Sequence, residues 1–476
     1  MALAELNEVK KERNAKTIAS LWDRCRKSAV AYGVFATAVR FGSNTVLLLF
    51  ALTRLSTSDY AEWAVFLALG GFANLADFGF GSSISRVYSF LWAGADDFDA
   101  EGLRPPPERG EPNFARLRQF NATTRFLYVR LAFGGTLLLA VAGTIYLMAA
   151  IPAMHRNGPF WVAWGLYLVA IGFSLGTSHW PMACQGVNQV RQIQAAYLWS
   201  SLAYVASAAI LLLYGFGVTS MVIGTATRAF VLMVLTRHYY RKAVNTAGGE
   251  LVLPDLRMVK RLWPNARKFG IIAIGACLIS QGNVLISKLF LEDRWTASIG
   301  LSVQLGTFML NLGNLWLNVK WPEIAILRTQ GKLRQMSRLF ARRLFFFMAS
   351  YAVLALGVGL SGNRLLAWKG TATRLLPTPQ LLFYFAYLGG QAFYGAFGML
   401  TFTENVVPFF RIAIGTGVAM FLLSLVMTKM FGVWGLLIAP FLAEAAYSAW
   451  FTIRRGFQGQ PLSLKEMITA AFSVGS

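Results

Sequence analysis

The sequence runs to 476 residues, of which 56% are hydrophobic and only 14% charged, and its mean hydropathy is +0.51. A soluble chain carries roughly 25% charged residues, so most side chains here face lipid, and a soluble enzyme or binding module is excluded. The net charge of +23 does not describe a nucleic-acid surface, because Lys and Arg fall between apolar spans and not on one soluble face.

Residues 1–28 form a polar, basic segment that includes Lys10, Lys11, Arg13, Lys16, Arg24, Arg26 and Lys27. The apolar stretch that follows is too long for a signal-peptide core and reads as a retained first span. A crossing needs about 20 apolar residues. Twelve candidates are expected, at 29–52, 60–92, 121–149, 159–182, 195–215, 218–238, 268–291, 295–321, 342–362, 379–402, 409–430 and 433–453. The second and eighth are longer than one crossing requires.

Alternate loops differ in charge. The N-terminus, the loops near 93–120, 183–194, 239–268, 322–343 and 403–411, and the C-terminus hold about 30 of the 44 Lys and Arg, against about eight in the other loops. This asymmetry predicts that both termini are cytoplasmic, with the region near 364–374 as the exception. The expected outer loops are short, so an extracytoplasmic catalytic domain has no room.

Three inner segments look amphipathic: the stretch before the first span, 326–343, and a helix capped by Asp255. In the last, Leu256, Val259, Leu262 and Trp263 share a face while Arg257, Lys260 and Arg261 point away. That pattern suits a helix lying among headgroups, or a solvated charge run.

The heptapeptide Leu21-Trp22-Asp23-Arg24-Cys25-Arg26-Lys27 before span one matches Leu262-Trp263-Pro264-Asn265-Ala266-Arg267-Lys268 before span seven at four of seven positions. The expected architecture is therefore an all-α polytopic membrane protein of about 12 transmembrane helices in two six-helix lobes. Its segments are 1–28, a first lobe at 29–238, a linker at 239–267, a second lobe at 268–453 and a tail at 454–476.

Ionisable residues inside spans mark function by default. Counted along helices, Arg40, Arg130 and Arg228 fall near mid-membrane at similar depth. Three such residues are costly on a lipid face and are expected to share a watered cavity in the first lobe. Arginine suits bidentate contact with phosphate oxygens. Asn44, Asn74, Gln281, Asn283, Gln304, Asn311 and Asn314 are the polar residues available for further contacts. Asp77 is placed to pair with Arg40 or Arg130. Arg86, Arg125 and Lys320 lie near inner ends, where snorkelling competes with a substrate role, although Arg86 follows a glycine-containing break. Glu444 reads either as a coupling carboxylate or as a structural hydrogen-bond partner. Gly79, Gly81, Gly389, Gly390, Pro181, Pro322, Pro408 and Pro440 are candidate breaks or kinks, with Gly389 and Gly390 equally suited to close helix packing. Cys25, Cys184 and Cys277, like His155, His179 and His238, are scattered without metal-ligand spacing, so no metal site is expected.

The stretch from Leu52 to Arg86 carries Asp59-Tyr60 with Trp63, then Asp77-Phe78-Gly79-Phe80-Gly81 and Arg86, and the second half carries Trp321-Pro322-Glu323-Ile324-Ala325. These motifs resemble those of bacterial polysaccharide transporters, the O-antigen and exopolysaccharide flippases of the multidrug/oligosaccharidyl-lipid/polysaccharide exporter superfamily. Ala61-Glu62 departs from the glycine common there. The resemblance implies two bundles in a V around a central cavity. It also implies a substrate built on undecaprenyl pyrophosphate, moved from the cytoplasmic to the periplasmic leaflet of the bacterial inner membrane.

The implied partners are that lipid-linked oligosaccharide, membrane lipids and other polysaccharide-assembly proteins. No cofactor is expected, and coupling to Na+ or H+ is left open. A cation-coupled drug exporter of the same superfamily is the first alternative, and three arginines argue against it. A membrane polysaccharide polymerase or ligase is the second. The chain lacks the long outer loop, the nucleophile–base pair and the metal motif such enzymes need.

Overall fold

The computed structural model describes residues 29–96, 111–153, 156–244, 252–402 and 410–458, with residues 466, 467 and 469. Residues 1–28 with their repeat heptapeptide and Cys25, as well as His155, Pro408 and most of the tail, lie outside the described residues. The described chain is a polytopic helical membrane protein. Seven of its stretches are long and apolar enough to cross a bilayer by length and composition alone. Inner and outer ends are named below after the Lys and Arg distribution.

The first half comprises α1 (Ala29–Arg54), α2 (Thr57–Ala73), α3 (Phe80–Trp92), α4 (Phe114–Ala150), α5 (Gly158–Thr177), α6 (His179–Gly186), α7 (Val190–Leu213) and α8 (Val218–Val244). The second comprises α9 (Leu256–Phe290), α10 (Asp293–Asn318), α11 (Trp321–Thr329), α12 (Leu333–Trp368), α13 (Thr378–Phe402), α14 (Phe410–Ala443) and α15 (Ala449–Gln458).

Three of the expected spans are broken rods. The second splits into α2 and α3 at a 3-10 turn, Asn74–Asp77, followed by left-handed Phe78 (φ 46°) and Gly79 (φ 74°). A left-handed conformation costs a non-glycine residue about 1–2 kcal/mol, so Phe78 must be held by its neighbours. The fourth splits at Ser178 into α5 and α6. Pro181 is the cause, since its ring clashes with the carbonyl four residues back, that of Thr177. The eighth ends at Asn318 and resumes as α11. This explains why spans two and eight read as too long. Spans eleven and twelve meet at Gly432 (φ 59°) inside α14, and four residues after Pro440 a single π turn, Glu444–Ser448, precedes α15. Gly389 packs on the Tyr351 ring while Gly390 faces open space, so the first serves helix packing.

Two of the amphipathic segments are built into longer helices. Asp255 caps α9, accepting from the Arg257 amide at 2.9 Å, but α9 then runs unbroken past Pro264 into the seventh span. Its buried face is Met258, Leu262 and Ala266, and these join Phe80, Tyr88, Leu117 and Phe120 in one apolar cluster. This part of the helix packs on the inner end of the first half, while Leu256 and Trp263 of the expected apolar face stay exposed. Likewise the 326–343 stretch divides at a Gly331 turn (φ 71°), and from Leu333 it is the inner end of α12, with Met336 and Phe340 buried.

Candidate site: a cationic cavity between the two halves

The two halves touch at both ends. At the outer end Ser58 of α2 donates to Asp293 of α10 at 2.9 Å, and Asp293 also pairs with buried Lys288 of α9. Tyr146 of α4 donates to the Leu285 carbonyl at 2.7 Å. Gly300 of α10 lies so close to α2 that a Cβ there would sit 2.6 Å from that of Ala64. At the inner end Phe78 stacks on Trp263 with ring centroids 5.8 Å apart. Gly79 leaves no room for a side chain against Ala266 and Phe269. Asp77 supports this break by accepting from the Gly81 amide at 3.2 Å and from the Tyr128 hydroxyl.

Between these closures lies a cavity of about 550 Å³. Helical periodicity builds its walls, since residues three, four and seven apart share a face. From α8 come Met221, Thr225 and Arg228; from α10, Gly300, Gln304, Thr307 and Asn311. Asn44 of α1, Asn74 of the second-span turn and Gln281 of α9 complete the polar lining, with Trp63, Tyr167 and Tyr204 as aromatic surface. Five of the seven Asn and Gln residues singled out from the sequence thus meet here. Asn283 and Asn314 are not among the lining. Arg228 is the one charged side chain lining the cavity among the described residues.

Arg40 sits beside it. Its guanidinium lies 5.5 Å from the centroid of the Tyr197 ring, and its charge interacts with that of Arg228. Both arginines act on Tyr197, and Arg228 also acts on Tyr204, one helical face along. Between these tyrosines Ser201 donates to Asn44 at 3.1 Å, tying α7 to α1. Tyr197, Ser201 and Tyr204 were not singled out from the sequence, yet their i, i+4, i+7 spacing on α7 was available as a signal.

The other expected site residues lie elsewhere. Arg130 is exposed, its guanidinium 3.8 Å from the ring centroid of Phe126 on the same helix. It stands at the inner margin of an outward apolar belt on α4 that runs from Val129 through Phe133, Leu137, Val141 and Ile145 to Met148. That belt is about 30 Å long, one hydrocarbon thickness, so Arg130 is at its edge and not at mid-depth. The expectation that it shares the cavity is corrected. The 37-residue α4 begins at Phe114, seven residues before the expected span, so a depth counted from that span's start does not hold. Asp77 takes its hydrogen bonds from Tyr128 and Gly81 rather than from Arg40 or Arg130, which corrects the expected pairing. Arg86 is exposed on α3, away from the cavity lining. Glu444 is buried in the second half, 3% exposed, where Gln391 donates to it at 2.8 Å and Tyr387 and Tyr394 offer hydroxyls.

No protein-family model and no curated sequence matches the chain. Solved structures do. The lipid II flippase MurJ, in an inward closed conformation, superposes with a TM-score of 0.59 at 10% identity, over 92% of this chain and 89% of that one. An inward-facing multidrug resistance MATE family transporter of the MOP superfamily gives 0.59 at 11% identity, over 89% and 98%. The MATE multidrug transporter DinF-BH gives 0.59 at 13%, over 92% and 97%. The chain has the fold of these transporters. At such identities the likeness is one of architecture, and substrate must be argued from the cavity.

Proposed function

We propose that the protein is a flippase for a lipid-linked oligosaccharide or polysaccharide precursor, joined to its lipid through pyrophosphate and carried between leaflets by alternating access. The observation that carries this reading is Arg228 in the wall of an amide-lined cavity with Arg40 beside it, the Arg40 guanidinium 5.5 Å from the Tyr197 ring centroid. Two like charges held together in a membrane repel. A polyanion between them turns that cost into attraction, and the planar guanidinium forks match phosphate oxygens. Asn and Gln side chains then provide donors and acceptors for hydroxyl groups. MurJ, a lipid II flippase, shares the fold, which supports a lipid-borne substrate.

Drug export, the function named for the MATE neighbours, favours a cationic cargo and needs an acidic or purely aromatic wall. The charge on this wall is positive. In this reading the lobes are 29–238 and 268–453, the termini face the cytoplasm, and the membrane is the bacterial inner membrane. Coupling to Na+ or H+ would fall to Asp77 or Glu444, both held by tyrosine hydroxyls.

The test is transport in proteoliposomes. A fluorescent polyprenyl-pyrophosphate oligosaccharide is followed by its leaflet accessibility, for the wild type and for Arg40→Gln and Arg228→Gln. Each substitution is expected to slow flipping about 10- to 100-fold, since a hydrogen bond to a charged group contributes about 1.5–3 kcal/mol. Equal rates in wild type and both variants would end the cationic-cavity reading.

A further inference from the structure

The first half contains a second cavity, of about 650 Å³, on the inner side of the arginine pair. It lies among α3, the inner end of α5, α6, α7 and α8. Its polar lining is Ser85, Ser174, Thr177, Ser178, Gln185 and Tyr197, closed by aliphatic and methionine side chains. No charged side chain lines it among the described residues. The break at Ser178 creates it, because ending α5 there turns Thr177 and Ser178 toward α3 and α7.

The hydroxyls are already oriented. Thr177 donates to the Phe173 carbonyl at 2.8 Å and Ser178 to the Leu175 carbonyl at 2.8 Å. With their protons committed to the helix, these oxygens present lone pairs and accept from a ligand. Gln185 offers both a donor and an acceptor. A wall rich in acceptors, uncharged and floored by apolar groups, suits a neutral ligand with many hydroxyl donors and an apolar face, which is the chemistry of a sugar ring. The volume falls within the usual range for small-ligand sites.

Tyr197 places this pocket. Its side chain lines the pocket, while Arg40 lies over its ring and the Arg228 charge reaches it. A group seated here contacts the same tyrosine that the Arg40 guanidinium faces. We propose that the pocket is a sugar subsite, which takes the hexose attached directly to the phosphate bound by Arg40 and Arg228. This rests on the cationic-cavity reading and adds to it the part of the headgroup that the first half recognises.

The test uses the full chain in nanodiscs and equilibrium binding of two kinds of probe. One is a short polyprenyl pyrophosphate. The other is the same lipid carrying glucose, galactose or N-acetylglucosamine. The wild type is expected to bind at least one glycosylated probe about tenfold more tightly than the bare lipid. Thr177→Val with Gln185→Leu should abolish that advantage and leave bare-lipid affinity unchanged, whereas Arg228→Gln should weaken every probe. Ser85→Trp, which fills the pocket from α3, should act like the double variant and guards against a folding defect in either. If no sugar improves binding to the wild type, or if both pocket variants keep the advantage, the subsite is overturned, and the cationic cavity stands provided Arg228→Gln still weakens the bare lipid. If the bare lipid binds wild type and Arg228→Gln alike, the cavity reading falls and the subsite with it.

Discussion

Arg40 of α1 and Arg228 of α8 lie close enough for their like charges to interact, with the Tyr197 ring 5.5 Å from the Arg40 guanidinium. In the proposed function a polyanion between the two guanidinium groups offsets their repulsion.

A consequence for stability follows directly. Arg228→Gln should leave the thermal midpoint of the detergent-solubilised protein unchanged or raise it by a few degrees, while transport falls. A midpoint lowered by more than about 5 °C, corresponding to roughly 1–2 kcal/mol or more, would mark Arg228 as a structural residue.

The outer closure rests on a buried ion pair. Asp293→Asn strips Lys288 of its partner and weakens the contact from Ser58. A buried charge left unpaired costs about 3–5 kcal/mol. The single variant should therefore melt well below wild type, and Lys288→Met with Asp293→Asn should recover most of the loss. Equal melting of single and double variants would show that Lys288 finds water or another partner.

The inner closure rests on an aromatic stack. Trp263→Ala removes the partner of Phe78, and such a pair contributes about 0.5–1.5 kcal/mol beyond its buried area. That shifts an open–closed balance about 2- to 10-fold toward inner-open. With Asn74→Cys as a reporter in the cavity, a water-soluble thiol reagent applied from the inner side should label faster by that factor. Labelling at an unchanged rate would mean that the Gly79–Ala266 contact alone holds the inner end.

Glu444 offers a contrast between charge and shape. Glu444→Ala leaves Gln391 and two tyrosine hydroxyls without their acceptor, at a cost of about 2–4 kcal/mol. Glu444→Gln keeps the shape and should melt close to wild type. The decisive comparison is transport against pH. A profile unchanged by Glu444→Gln makes the carboxyl structural, and a flattened profile makes it the proton site.

Much of this was written locally along the chain. Lipid supplies no backbone hydrogen bonds, so runs of apolar residues become helices wherever they are long enough, and the described helices cover the expected spans, although α9 starts twelve residues before the seventh and α12 nine before the ninth. Gly79 and Pro181 favoured breaks through backbone sterics, and Gly432 the turn between the last two spans. The polarity of the cavity was legible as well, since Asn44, Gln281, Gln304 and Asn311 are conspicuous in apolar surroundings. What the sequence could not decide was which helix faces which. A residue's position on its own helix gives a face and an approximate depth, but not the neighbour that face meets. Packing between residues far apart in the chain brought Arg40 to Arg228, gave Asp77 to Tyr128, left Arg130 at the edge of the apolar belt, and formed the hydroxyl pocket that Tyr197 lines. Those are long-range choices, set by how whole helix surfaces fit together, and only the tertiary structure makes them.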